Sequence, residues 1–122
     1  MRILVCNPDT IGDVVLRQPM FRALSEAGHE LSLIVRPLIV PVLREIAPGA
    51  RVLPCGVNLY DPRLRPESNS LSPLVEAARE FNPDVLLVAS YQWTALEERL
   101  SAELTGARCV ALSGKPFSDP TF

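Results

Sequence analysis

The 122-residue sequence holds a single histidine, His29, which leaves no scope for a histidine-rich metal site or a Ser-His-Asp relay. Cysteine is sparse too. Cys6, Cys55 and Cys109 form an odd count without CxxC spacing, and two of them fall in apolar, strand-like runs, so all three are expected as reduced, buried, small hydrophobes. Basic charge is not in surplus: 12 Lys and Arg against 14 Asp and Glu give a formal charge of -2. That balance excludes the basic stripe of a general DNA or RNA binder, so no nucleic-acid partner is expected. Long apolar runs are missing as well. The opening "RILVC" is cut off by Asn7, Pro8 and Asp9, short of the roughly 7–15 residues of a signal-peptide core. "LSLIVRPLIVPVL" is interrupted by Arg36, Pro37 and Pro41, short of the roughly 20 residues of a membrane span. A soluble, cytoplasmic chain is expected. Neither the dinucleotide GxGxxG pattern nor a P-loop occurs, which argues against NAD enzymes and P-loop NTPases, and no cofactor is expected.

What is present is a rhythm. The chain is 48% hydrophobic and of one domain's length, and short Val/Ile/Leu-rich runs alternate with stretches of helical periodicity. Strands are expected at about 2–7, 30–35, 51–54, 84–89 and 108–112, each nearly continuous in apolar character, as in a parallel sheet covered on both faces. Leu16, Met20, Ala23, Leu24 and Ala27 outline a first amphipathic helix that Gly28 stops, and Pro19 should kink it or tighten its first turns. Further helices are expected at about 38–46, 72–81 and 94–104, the last with Leu96, Leu100 and Leu104 on one face. The fold class is therefore α/β, a Rossmann-like three-layer sandwich with a mainly parallel sheet, over one domain, 1–122. Cys55–Ser70 ("CGVNLYDPRLRPESNS") breaks the rhythm and reads as a long, mobile surface loop. The terminal "LSGKPFSDPTF" also reads as loop, and resembles a cut more than a natural end.

Ligands of open parallel sheets bind beyond the carboxyl ends of the strands, and the loop "NPDTIGD" falls at that edge. Gly12 lets a ligand approach the backbone closely, Pro8 stiffens the exit from the strand, and Asp13 lands at the first helical turn. From spacing alone, Asp13 reads first as a helix-start carboxylate, and Asp9 and Thr10 as turn residues. Arg63 and Arg65 in the long loop read either as solvated charges or as partners for acidic groups. Gln92 and Trp93 stand in the loop after the fourth strand, at the second ligand-facing edge. Trp93 has two readings, stacking on a sugar face or packing under the sheet edge.

The first 24 residues, "MRILVCNPDTIGDVVLRQPMFRAL", resemble the N-terminus of the heptosyltransferases, inverting GT-B glycosyltransferases of the lipopolysaccharide inner core. The shared elements are the strand Arg2–Val5, Thr10, Ile11-Gly12-Asp13, the apolar pair Val14-Val15, Pro19 and Leu24. The resemblance implies that Asp13 is the catalytic base that takes the proton from an acceptor sugar hydroxyl. It makes Thr10, Gly12 and Asn7 acceptor contacts, and Arg63, Arg65, Gln92 and Trp93 candidates for the same role. It implies a nucleotide-sugar donor of the ADP-heptose type, bound mainly by a C-terminal domain that this chain lacks. The acceptor would be lipopolysaccharide-core-like, at the inner face of the cytoplasmic membrane with at most peripheral contact. No DxD metal motif occurs, in keeping with the family's general independence of such a metal. A competing expectation is a stand-alone flavodoxin-like binding or regulatory module without transferase activity.

Overall fold

Five apolar runs form the strands β1 (Arg2–Cys6), β2 (Glu30–Val35), β3 (Arg51–Pro54), β4 (Val85–Val88) and β5 (Arg108–Ala111). The computed structural model describes residues 1–112. The rest of the terminal stretch read as loop lies outside the described residues. All pairings are parallel, in the order β3-β2-β1-β4-β5, with registers such as Leu4↔Ser32 and Leu4↔Leu86. This is the Rossmann-like α/β fold. A flavodoxin-like sheet has the order 2-1-3-4-5, so that part of the competing expectation is corrected.

The period-two alternation of side chains gives each central strand to two cores. Leu4, Cys6, Ile34, Leu86 and Val88 face Val75, Ala78 and Phe81 of α4 (Ser72–Phe81) and Leu96 and Leu100 of α5 (Ala95–Glu103). Ile3, Val5, Leu33, Val35 and Leu87 pack on the other side against Val14 of α1 (Ile11–Leu16), Phe21 of α2 (Gln18–Glu26) and Leu43 and Ile46 of α3 (Val40–Ile46). Burial on both faces explains why β1 and β2 read as nearly continuous apolar runs, with Ser32 the polar residue inside β2. No helix among the described residues is long and apolar enough to cross a membrane.

Four details depart from the sequence reading. The first helix is two helices that meet at Arg17 (φ -86, ψ -3), with Pro19 in the opening turn of the second, where its missing N–H is tolerated. This break resets the phase of the inner face to Val14, Phe21 and Leu24, and leaves Leu16 80% exposed. The helix expected over 38–46 opens with a 3-10 turn at Pro37–Ile39 before α3. Residues 55–70 are not a loose loop. Arg99 of α5 donates from Nη1 to the carbonyls of Pro66 and Ser68 (3.1 and 3.0 Å) and from Nη2 to Ser72 Oγ (3.2 Å). Val57, Leu59 and Leu64 of the same segment pack onto the core. Finally, Cys109 is exposed, because β5 is an edge strand with little packed over it, whereas Cys6 and Cys55 are buried as expected.

Candidate functional site

The sheet order reverses between β1 and β4: the chain leaves β1 toward β2 on one side and returns to β4 on the other. A Rossmann-like sheet opens its crevice at this point, beyond the carboxyl ends of both strands. Backbone bonds from Asn7 N to Ile34 O and from Ala89 N to Cys6 O, both 2.9 Å, carry the ladder one residue past β1 and β4. The chain then peels away into the loops 7–10 and 89–94.

These loops are tied together. The carboxylate of Asp9, only 4% exposed, accepts the Tyr91 N–H at both oxygens, at 3.3 and 3.2 Å. Arg17 donates from Nη2 to Ala89 O at 2.8 Å, and Arg36 from Nε to Pro8 O at 3.0 Å. Asp9 is thus no bland turn residue. Burial pushes its pKa above the usual 3.8, as does the neighbouring Asp13, while the Tyr91 N–H, Arg17 and Arg36 pull it down. The sequence gives no local sign of this, since the partner amide is 82 residues away.

Asp13 sits in the first turn of α1, partly buried, and accepts the Thr10 hydroxyl at Oδ2 over 2.7 Å. Thr10 occupies the N-cap with extended backbone (φ -68, ψ 164), yet its hydroxyl is directed to Asp13 and caps no amide. Oδ1 of Asp13 has no partner among the described residues, so one carboxylate oxygen is held and the other is open. Gly12 lies between them, exposed, and a Cβ built there meets nothing within 4 Å. Neither backbone strain nor packing asks for glycine here. Asn7, read as an acceptor contact, is fully buried beneath this turn, and neither amide atom has a partner.

The other predicted residues are dispersed. The Arg63 side chain is 91% exposed and pairs with Asp61 at 3.5 Å, and Arg65 is also exposed. Gln92 is exposed, and Trp93 packs at the edge of the α4/α5 core with its Nε1–H donating to Glu98 Oε2 at 2.7 Å. Behind this loop lies Glu97, a fully buried carboxylate that the sequence reading passed over. It accepts the Thr94 hydroxyl at 2.6 Å and the Thr94 N–H, while Cys6 Sγ donates to its other oxygen at 3.2 Å. The Thr-x-x-Glu spacing of a capping box was visible in the sequence; its burial was not. Burial, and then the Glu97 carboxylate, raise the Cys6 thiol well above its ordinary pKa.

Beside the Asp9 turn, a cleft of about 370 Å³ opens between the segments that follow β1, β2 and β3. Pro8, Arg36, Pro37, Leu38 and the run Cys55–Leu59 line it. Among the described residues, no group of three or more His, Cys, Asp or Glu could hold a metal ion.

No protein-family model matches the chain, and no curated protein matches it. Solved structures do. The glycosyltransferase VinC, in a complex with DTDP, superposes with a TM-score of 0.67 at 21% identity over 93% of this chain and 34% of its own. The glycosyltransferase SsfS6 from a Streptomyces species gives 0.61 at 21% identity, over 93% of this chain and 39% of its own. A family 9 glycosyl transferase from Veillonella parvula gives 0.54 at 23% identity, over 99% and 34%. At these identities the likeness is one of fold. The chain has the architecture of one Rossmann-like unit of GT-B glycosyltransferases, and it spans about a third of the length of the structures it matches.

Proposed function

We propose that this chain is the acceptor-binding half of a sugar-transferring enzyme, with Asp13 as the base. The observation that carries the reading is the Thr10–Gly12–Asp13 turn at the switch-point edge. It has one carboxylate oxygen fixed by Thr10, the other open, and a glycine that nothing in the free chain requires. The fold shared with glycosyltransferases is supporting analogy.

In the proposed reaction an acceptor hydroxyl lies against Asp13. Its oxygen bonds to the anomeric carbon of the donor sugar from the face opposite the nucleotide. The nucleotide departs with the electrons of the broken C–O bond, the configuration inverts, and the hydroxyl proton passes to Asp13. A positioned carboxylate contributes roughly 10²–10⁴-fold to such a step. Thr10 fixes the carboxylate's orientation, and Gly12 leaves room for the acceptor ring. The resemblance of residues 1–24 to heptosyltransferases supports an ADP-heptose type of donor and a lipopolysaccharide-core-like acceptor at the cytoplasmic face of the membrane. Under this reading the donor is held mainly by a second domain outside this chain.

The reading is tested by titrating the chain with ADP and an ADP-sugar while assaying for transfer. Only weak nucleotide binding and no turnover are expected. Turnover by these 122 residues alone would refute the division of labour, and tight nucleotide binding without turnover would favour a regulatory module.

A further inference from the structure

Among the described residues, Arg36 is the one cation lining the cleft beside the Asp9 turn, and it is held rather than free to swing. Its Nε donates to Pro8 O at 3.0 Å, and its guanidinium carbon lies 5.4 Å from the centroid of the Tyr60 ring. Both terminal nitrogens lack a protein partner among the described residues, and no carboxylate forms an ion pair with the side chain. The nearby charge of Asp9 is already engaged by the Tyr91 amide. A pre-oriented guanidinium with two open N–H groups matches a carboxylate or phosphate in a bidentate pair. The remaining walls are mostly apolar, from Pro8, Pro37, Leu38, Val57 and Leu59, with Asn58, whose Oδ1 accepts the Tyr60 N–H, as their polar member. Leu38 is 89% exposed and Tyr60, with Arg36 over one face of its ring, is 50% exposed, which leaves apolar surface at the rim of the cleft. The volume of about 370 Å³ lies at the lower end of small-ligand sites, enough for the terminal group of a larger molecule.

We propose that this cleft is an anion subsite: Arg36 grips a carboxylate or phosphate on a sugar ring whose C–H face rests on Leu38, Val57, Leu59 and the Tyr60 edge. Its role as the seat of an acidic acceptor rests on the reading of the previous subsection; the anion site itself rests on geometry. It moves acidic-group recognition away from Arg63 and Arg65, which face solvent. Pro8 lines the cleft, and the Asp9 carboxylate feels the charges of both Arg36 and Asp13, which places an acceptor anchored there near the Thr10–Asp13 turn.

The test uses the chain as it is, followed by ¹⁵N NMR of the Gly56–Leu59 amides and the Arg36 Nε–H. The probes are methyl glucuronide, glucose 6-phosphate and methyl glucoside. Saturable shifts are expected for at least one of the charged probes, at least about tenfold tighter than for the neutral glucoside. Which charged probe binds tighter decides between carboxylate and phosphate. Arg36→Gln is expected to abolish the preference, and Arg63→Gln to leave it intact. If Arg36→Gln loses native amide dispersion, Arg36→Lys decides, because it keeps the charge without the fork: a reduced preference supports the site, and a full one overturns it. The proposal is also overturned if the glucoside binds as tightly as the charged probes, if the preference survives Arg36→Gln, or if no probe gives saturable shifts. Binding is read without turnover, so a failed anion site and a failed base assignment appear in separate measurements.

Discussion

Replacing Asp9 separates its two contributions, the hydrogen bond to the neighbouring loop and the burden of a buried charge. Asp9→Ala removes the acceptor of the Tyr91 N–H, and a part-buried amide left unpaired costs about 1–3 kcal/mol. In a chain of this size that lowers Tm by roughly 3–6 °C per kcal/mol. Asp9→Asn keeps an acceptor oxygen in nearly the same place and discards the charge, so near neutral pH it should match the wild type or exceed it by up to about 1 kcal/mol. The sign with pH follows from the raised pKa of Asp9. A carboxyl whose folded pKa lies above its unfolded value favours folding fully below the unfolded pKa, near 3.8, and loses that contribution as pH rises through the folded value. The advantage of Asp9→Asn over wild type should therefore be absent in acid and grow as pH climbs out of the carboxylate range. Urea denaturation from pH 3 to 8, read by fluorescence of the single tryptophan, Trp93, two residues from Tyr91, measures this directly. If Asp9→Ala costs nothing, or if Asp9→Asn loses ground to wild type as pH rises, the coupling of the two loops through Asp9 is wrong.

Three further outcomes follow from the same geometry. Glu97→Ala should destabilise by about 3 kcal/mol through the lost cap, the unpaired Thr94 amide and the space left at a fully buried site, whereas Glu97→Gln should lose less than half of that in a urea series. Gly12→Ala should leave the free chain as stable or up to about 1 kcal/mol more so, while raising the acceptor KM of a transferase that joins it to a donor-binding half, because on the proposed reading the new methyl enters acceptor space and not protein space. A disulfide reagent at neutral pH should titrate one thiol of the native chain, Cys109, with Cys6 and Cys55 reacting only after denaturation.

The parts of the fold that were legible in the sequence are those whose cause is local and repetitive. Nearly continuous apolar runs marked β1 and β2 because strands covered on both faces show no regular polar alternation, the buried Ser32 being the exception inside β2. Leu96, Leu100 and Leu104 marked the inner face of α5, and all three are buried. The break at Arg17 was only half legible: Pro19 announced a disturbance, but the phase reset that turns Leu16 outward depends on how α1 and α2 each dock. The long segment 55–70 looked mobile because its composition is polar and proline-rich, and the clamp that orders it, Arg99, lies in α5. The site divides in the same way. Thr10, Gly12 and Asp13 stand within four residues, so their meeting in one turn was readable locally. Asp9 and Arg36 owe their places to partners that are 82 and 28 residues away, and the contact that marks Glu97 as buried, with Cys6, spans 91; no local pattern reports such a distance.

The central claim is that Asp13 accepts a proton, and it is tested most directly by Asp13→Asn in a polypeptide that joins this chain to the donor-binding half the proposal calls for. Asparagine keeps the size of the side chain and an acceptor for the Thr10 hydroxyl, so Tm should change by no more than a cap adjustment of about 1 kcal/mol implies. It cannot take a proton. The account predicts that kcat for sugar transfer falls by roughly 10²–10⁴-fold with little change in the acceptor KM. A kcat close to wild type, or a loss no larger than the fall in Tm explains, would make Asp13 a helix-start residue and contradict the assignment.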